Sequence, residues 1–121
     1  MMKPAEVARL AIEALDNKKG ADIKLLRTTN VTTLADYFII CKATSSTHIR
    51  TLSDEVERVL KENGELPMRR EGHRAGDWLL LDYSCVIVHV FMKDARDFYT
   101  LERLWADAEI INIERTSLGK L

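Results

Sequence analysis

Asp77, Asp82 and His89 are the residues most suited to acid–base chemistry, because carboxylate and imidazole fall within one short stretch of chain. General catalysis requires such groups within hydrogen-bond reach of one another. Metal chemistry has less to build on: Cys41, His48, His73, Cys85 and His89 are scattered singly, whereas zinc ligation favours closely spaced pairs. Neither a metal nor any other cofactor is expected. Gly72 and Gly76 precede an apolar run instead of standing between a strand and a helix, so no phosphate loop is present. Arg69, Arg70, His73 and Arg74 form a compact basic group that could meet phosphates. It lacks interleaved aromatics for base stacking, which makes it a solvated edge loop with at most a minor contact to RNA.

The element that must position these groups is Asp77 through Phe91, two apolar runs rich in Leu, Val and Ile joined at Tyr83-Ser84. That pattern reads as a β-hairpin. With a turn centred on Tyr83-Ser84, Trp78 faces His89, Leu80 faces Ile87 and Asp82 faces Cys85 on one side. Leu79, Leu81, Val86, Val88 and Val90 make a wholly aliphatic second side, which belongs in the core. In this register Asp82 and His89 stand about four residues apart on opposing strands, on the order of 13 Å, too far for a catalytic pair. Asp82 is expected to order the turn and His89 to pack against Trp78. Trp78, beside Leu80 and rimmed by Asp82, has the make-up of an interface anchor, large burial at low entropic cost, and equally that of a side chain filling the space beneath a helix, as Trp105 is expected to do.

The remaining elements follow from periodicity and caps. Pro4 and the stripe Val7, Ala8, Ala11, Ile12, Ala14, Leu15 predict a helix over residues 4–18, ended by Gly20. Strands are predicted at Ala21 to Arg27 and at Tyr37 to Cys41, the second central because nothing polar interrupts it. Ser45 or Ser46 caps a long helix with the stripe Ile49, Leu52, Val56, Val59, Leu60, closing at Asn63-Gly64. Leu66 to Arg70 is an edge strand because of Pro67. Asp94 caps a last helix through Phe98, Leu101, Leu104, Trp105 and Ala108. The order is therefore α-β-β-α-β-β-β-α, an α/β (α+β) single domain with a mixed sheet of about five strands flanked by helices. The domain spans residues 1–121, with a core over about 5–108 and a C-terminal tail over 109–121.

Bulk properties narrow the setting. The chain has 121 residues, enough for one core without staples, and a formal charge of −1 gives no global attraction to nucleic acid or membrane. Its apolar runs are far shorter than the roughly 18 residues that span a bilayer, and the start lacks a signal-peptide apolar region. A cytoplasmic protein is expected, with Cys41 and Cys85 as free, buried thiols.

Specific residues add a resemblance. Trp78-Leu79-Leu80-Leu81-Asp82-Tyr83, then Val86-Ile87-Val88-His89-Val90-Phe91, Arg96, Phe98-Tyr99, Leu101-Glu102 and Leu104-Trp105-Ala106-Asp107-Ala108 resemble the signature of the ribosomal silencing factor, or Iojap, family. Ala35-Asp36-Tyr37-Phe38-Ile39-Ile40-Cys41 and Ser45-Ser46-Thr47-His48-Ile49 resemble its other recurrent block. The resemblance covers roughly residues 5 to 108. It implies a nucleotidyltransferase-like core without catalytic acids, and hence no enzyme. It further implies a translation repressor that binds the large ribosomal subunit through the intersubunit-face protein L-fourteen, blocks small-subunit joining under nutrient limitation and takes part in large-subunit maturation. By matching position, partner contacts fall on Trp78, Leu80, Asp82, Tyr83, Arg96 and Tyr99; Arg69, Arg70 and Arg74 are candidate RNA contacts by their charge alone, not by the resemblance. Where the family often carries a small residue and an Asp after the Tyr, this chain has Ser84-Cys85 and lacks that carboxylate.

Two other readings stand beside it. One is a small nucleotide- or metal-dependent enzyme using Asp77, Asp82 and His89, which saturable nucleotide binding lost in Asp82→Ala would favour. The other is a homodimer formed through the unequal hairpin face when the protein is free.

Overall fold

Pro4 at the first helical position and the apolar stripe set helix α1 (Pro4–Asn17), with Val7, Ala8, Ala11, Ile12, Ala14 and Leu15 all buried. The computed structural model describes residues 3–27, 35–72, 78–92 and 109–111. Helix α1 ends in a Schellman motif: Lys19 takes the left-handed conformation at φ 63°, and the Gly20 N–H donates to the Leu15 carbonyl at 2.8 Å. The glycine expected to terminate the helix is thus not the residue that turns. Gly20 is required for space, because a Cβ there would meet Cys41 Sγ.

Helix α2 (Ser46–Glu62) starts and stops where its sequence predicts. The Ser45 hydroxyl accepts from the His48 N–H at 3.0 Å. At the other end Gly64, at φ 86°, and Glu65 return their N–H groups to Lys61 and Leu60. His48 ties the two helices together: its Nδ1 accepts from the Thr44 N–H at 3.0 Å, which leaves Nε2 to donate to the Lys18 carbonyl at 2.8 Å.

The strands are β1 (Ala21–Arg27), β2 (Tyr37–Ala43), β3 (Arg69–Gly72), β4 (Trp78–Asp82), β5 (Val86–Met92) and β6 (Glu109–Ile111). They form one six-stranded sheet in the order β3-β4-β5-β2-β1-β6. Among the described residues only β2 and β5 pair in parallel; the other pairings are antiparallel, so the sheet is mixed as expected. Strand β2 is central and almost wholly buried. Strand β3 is an exposed edge as expected, but it runs over Arg69–Gly72 and not Leu66 to Arg70: Pro67, which has no N–H to give a ladder, lies before it. Glu109–Ile111, which sequence reasoning places in a tail, instead pairs with β1 and extends the sheet. In β1 the register slips by one residue between Ala21 and Lys24, a bulge in which Asp22 takes φ 46° and meets Lys42 Nζ at 3.2 Å. The last predicted helix, residues 94–108, lies outside the described residues.

Each face of the sheet carries its own apolar cluster. Leu25, Ile39, Cys41, Leu81, Val86, Val88 and Val90 face α1 and α2 in the main core. Leu26, Ala35, Phe38, Ile40 and Phe91, with Trp78 and Ile87 against them, form the second cluster on the opposite face. A fully buried Leu, Ile or Phe contributes about 1.5–3 kcal/mol, so both clusters matter to stability. Among the described residues no helix is long and apolar enough to cross a membrane.

Candidate docking surface

The hairpin forms, but its turn sits one residue later than predicted. The Tyr83 N–H donates to the Val86 carbonyl at 2.9 Å, leaving Ser84-Cys85 as the two-residue loop, with Ser84 at φ 71°. Asp82 Oδ1 accepts from the Ser84 N–H at 2.8 Å, an Asx turn that holds this conformation and matches the role expected of Asp82. Moving the turn centre by one residue changes every cross-strand partner by two. Trp78 therefore pairs with Phe91, Leu80 with His89 and Asp82 with Ile87. The predicted partners were wrong, yet the faces survive, because side chains alternate with period two and a shift of two preserves parity.

The corrected register brings Asp82 and His89 to diagonal positions, roughly 7–8 Å apart between backbones by ladder geometry, closer than the sequence estimate. They still form no pair. His89 is buried among the rings of Phe38, Trp78 and Phe91, with centroids at 5.3, 6.5 and 6.0 Å respectively. Neither ring nitrogen has a hydrogen-bond partner among the described residues, and burial pushes the imidazole pKa down from 6.5 to about 4. The Asp82 carboxylate is taken by the turn and by Arg69 Nε, at 3.2 Å. Asp77 lies outside the described residues. No cluster of metal-ligating side chains occurs among the described residues.

The predicted partner-binding residues divide. Trp78, Leu80 and Asp82 share one face; Trp78 is half-buried, Leu80 is 9% exposed and the Asp82 side chain 15%. Tyr83 does not join them. Alternation turns it to the helix side, where it is buried in the main core with its hydroxyl unpartnered among the described residues. Arg96 and Tyr99 lie outside the described residues.

The basic group is partly neutralised by its own neighbours. Arg69 bridges Asp82 and Glu71, the latter at 2.9 Å. Arg70 points to the helix side, where Nη1 meets Asp54 at 3.1 Å and Glu57 at 2.6 Å on α2. Both arginines alternate along β3, so they serve opposite faces of the sheet and do not form one cationic patch. Arg74 and His73 lie outside the described residues. Sequence reasoning had no means of finding the pairs with Asp54, Glu57 and Asp82, which lie 13 to 16 positions away along the chain.

Next to this edge, Ser46, Ile49, Arg50, Arg70, Gly72, Trp78 and Leu79 line an open cleft of about 220 Å³ between the first turn of α2 and the ends of β3 and β4. Leu66 and Met68, just before β3, are large apolar side chains left exposed. The arrangement offers an aromatic side chain, a carboxylate–guanidinium rim and an exposed strand edge. These are features of a protein interface.

Comparison with known proteins agrees with this character. The chain matches, over residues 2–120, the family model described as "Ribosomal silencing factor during starvation". A ribosomal silencing factor of Halalkalibacterium halodurans is 36% identical over 113 residues, covering 93% of this chain and 97% of the relative. A crystal structure of a Chromobacterium violaceum protein is similar with a TM-score of 0.81 at 39% identity, covering 87% of this chain and 88% of that one. A mouse protein named for mitochondrial assembly of the ribosomal large subunit is 26% identical over 99 residues, which is 79% of this chain and 43% of the mouse protein.

Proposed function

The chain belongs to the ribosomal silencing factor family, and from that premise we propose that it binds the large ribosomal subunit and represses translation by keeping the small subunit from joining. The contact is the intersubunit-face protein L-fourteen. The mechanism is steric: a docked domain occupies space that the small subunit needs, so binding energy becomes exclusion without chemistry. The same association would serve large-subunit maturation and places the protein in the cytoplasm.

The family match over residues 2–120 is the observation that carries this reading. The site supports it in kind. Trp78 supplies the apolar contact, with Leu80 beside it on the same face, and Asp82 on the rim meets a basic side chain of the partner, giving orientation more than affinity. Arg96 and Tyr99 enter by their matching positions alone. Tyr83, turned into the core, acts by holding the hairpin and not by touching the partner. A minor RNA contact through Arg69, Arg70 or Arg74 is the weakest part, since Arg69 and Arg70 would have to leave their carboxylates.

The test is co-sedimentation with purified large subunits, together with a subunit-joining assay. The parent should co-pellet and inhibit joining, and folded Trp78→Ala should lose most of both. If Trp78→Ala keeps its circular dichroism and still binds and blocks as the parent does, Trp78 is not the anchor.

A further inference from the structure

The proposed docking face contains an ion pair that docking would have to open. Asp82 offers two carboxylate oxygens; Oδ1 holds the turn through Ser84, and Oδ2 accepts from Arg69 Nε at 3.2 Å. That distance is long for a charge-assisted bond, and only one N–H is engaged. The Arg69 side chain is 57% exposed, and its Nη1 already reaches Glu71, itself 48% exposed, at 2.9 Å. One guanidinium thus spans two carboxylates, one sheltered on the Leu80 face and one in solvent.

We propose that Arg69 is an internal placeholder: it occupies Asp82 in the free protein and retires onto Glu71 when a cation of the ribosomal partner takes its position. The inference rests on the docking reading above. Its physical basis is charge conservation at a sheltered carboxylate. Asp82 needs a cation in both states, because leaving it unpaired as the partner excludes water is costly. Arg69 can depart without stranding either charge, since Asp82 gains the partner's cation and Arg69 keeps Glu71. An apolar or acidic group in the same place would strand Asp82, so the exchange selects a Lys or Arg.

This assignment differs in sign from a phosphate-contact role for Arg69. Affinity for purified large subunits is measured for Arg69→Gln, Asp82→Asn, their double variant and Glu71→Gln, with folding checked by thermal melting. Asn keeps the Oδ1 acceptor for Ser84, and Gln keeps most of the arginine stem. Removing a competitor worth as much as an exposed ion pair should tighten binding about two- to five-fold in Arg69→Gln. Asp82→Asn should weaken binding and abolish the Arg69→Gln gain. Glu71→Gln should weaken binding, because it removes the place to which Arg69 retires, and it provides an independent reading should Arg69→Gln fold poorly. Unchanged or weaker binding in Arg69→Gln overturns the placeholder. If Asp82→Asn binds as the parent does while Trp78→Ala loses binding, the docking face stands and the placeholder falls. If neither Asp82→Asn nor Trp78→Ala changes binding, the docking reading itself has failed.

Discussion

Gly20 and Cys41 approach so closely that a Cβ on Gly20 would stand 2.5 Å from Cys41 Sγ and 3.1 Å from the Leu15 carbonyl oxygen. The contact joins the end of α1 to the central strand β2 at the point where the main core closes. Gly20→Ala should therefore overpack that junction and destabilise by about 1–3 kcal/mol. Urea denaturation measures the loss. Adding Cys41→Ala, which removes the obstructing sulfur, should recover part of it, whereas a loss caused by backbone strain would not be recovered.

His89 gives stability a specific pH dependence. Burial holds its folded pKa at about 4, against 6.5 for the ordinary group. Between these values the unfolded chain binds the proton and the folded chain does not, so stability falls as pH drops through 6.5 and the penalty is complete near 4. The full penalty is about 3 kcal/mol at 1.36 kcal/mol per pKa unit. His89→Phe should flatten this part of the profile, as read from urea midpoints between neutral pH and about 4. An unchanged slope would assign the dependence to other groups.

What the sequence disclosed, and what it concealed, divides along the range of the interactions. The ends of α2 were legible because Ser45 and Asn63-Gly64 act within a few residues of themselves. The two faces of the hairpin were legible because alternation is local, and they outlasted a wrong turn centre. The register was not, since it depends on Ser84 accepting a left-handed conformation that Asp82 stabilises, and Ser is an uncommon residue for it. The short strand Glu109–Ile111 carries too few residues to announce itself and is recognisable only by its pairing with Leu25, Leu26 and Arg27. At the proposed docking surface, alternation along the strand put Trp78, Leu80 and Asp82 on one face. Composition could not tell that Leu80 is buried opposite His89, or that Arg69 already answers the Asp82 carboxylate.

The caps of α2 separate two kinds of local cost. Gly64 stands at φ 86° with nothing within 4 Å of the point a Cβ would occupy, so Gly64→Ala is opposed by backbone conformation alone and should cost about 1 kcal/mol. Ser45→Ala removes the acceptor for the His48 N–H and should also cost about 1 kcal/mol. The sites lie at opposite ends of the helix, so the double variant should lose the sum, measured by urea midpoint shifts. A markedly larger loss would mean that the helix ends communicate through the core.

The two thiols should differ in reactivity for reasons visible in their surroundings. Cys41 is fully buried, and burial pushes its pKa up to about 12; its sulfur lies 3.6 Å from the Lys42 carbonyl. Cys85, half-buried in the hairpin loop, also has its pKa raised by burial, with the negative charges of Glu65 and Asp36 adding to the effect. Because the thiolate is the reactive species, both should resist a disulfide-exchange reagent at neutral pH, Cys41 far more than Cys85. In the native protein Cys85 should modify slowly and at a rate that rises with pH. Cys41 should react only at the rate of unfolding, so Gly20→Ala, by overpacking the junction and destabilising the fold, should accelerate Cys41 and leave Cys85 unchanged. Equal rates for the two in the native state would contradict the burial that places Cys41 in the main core.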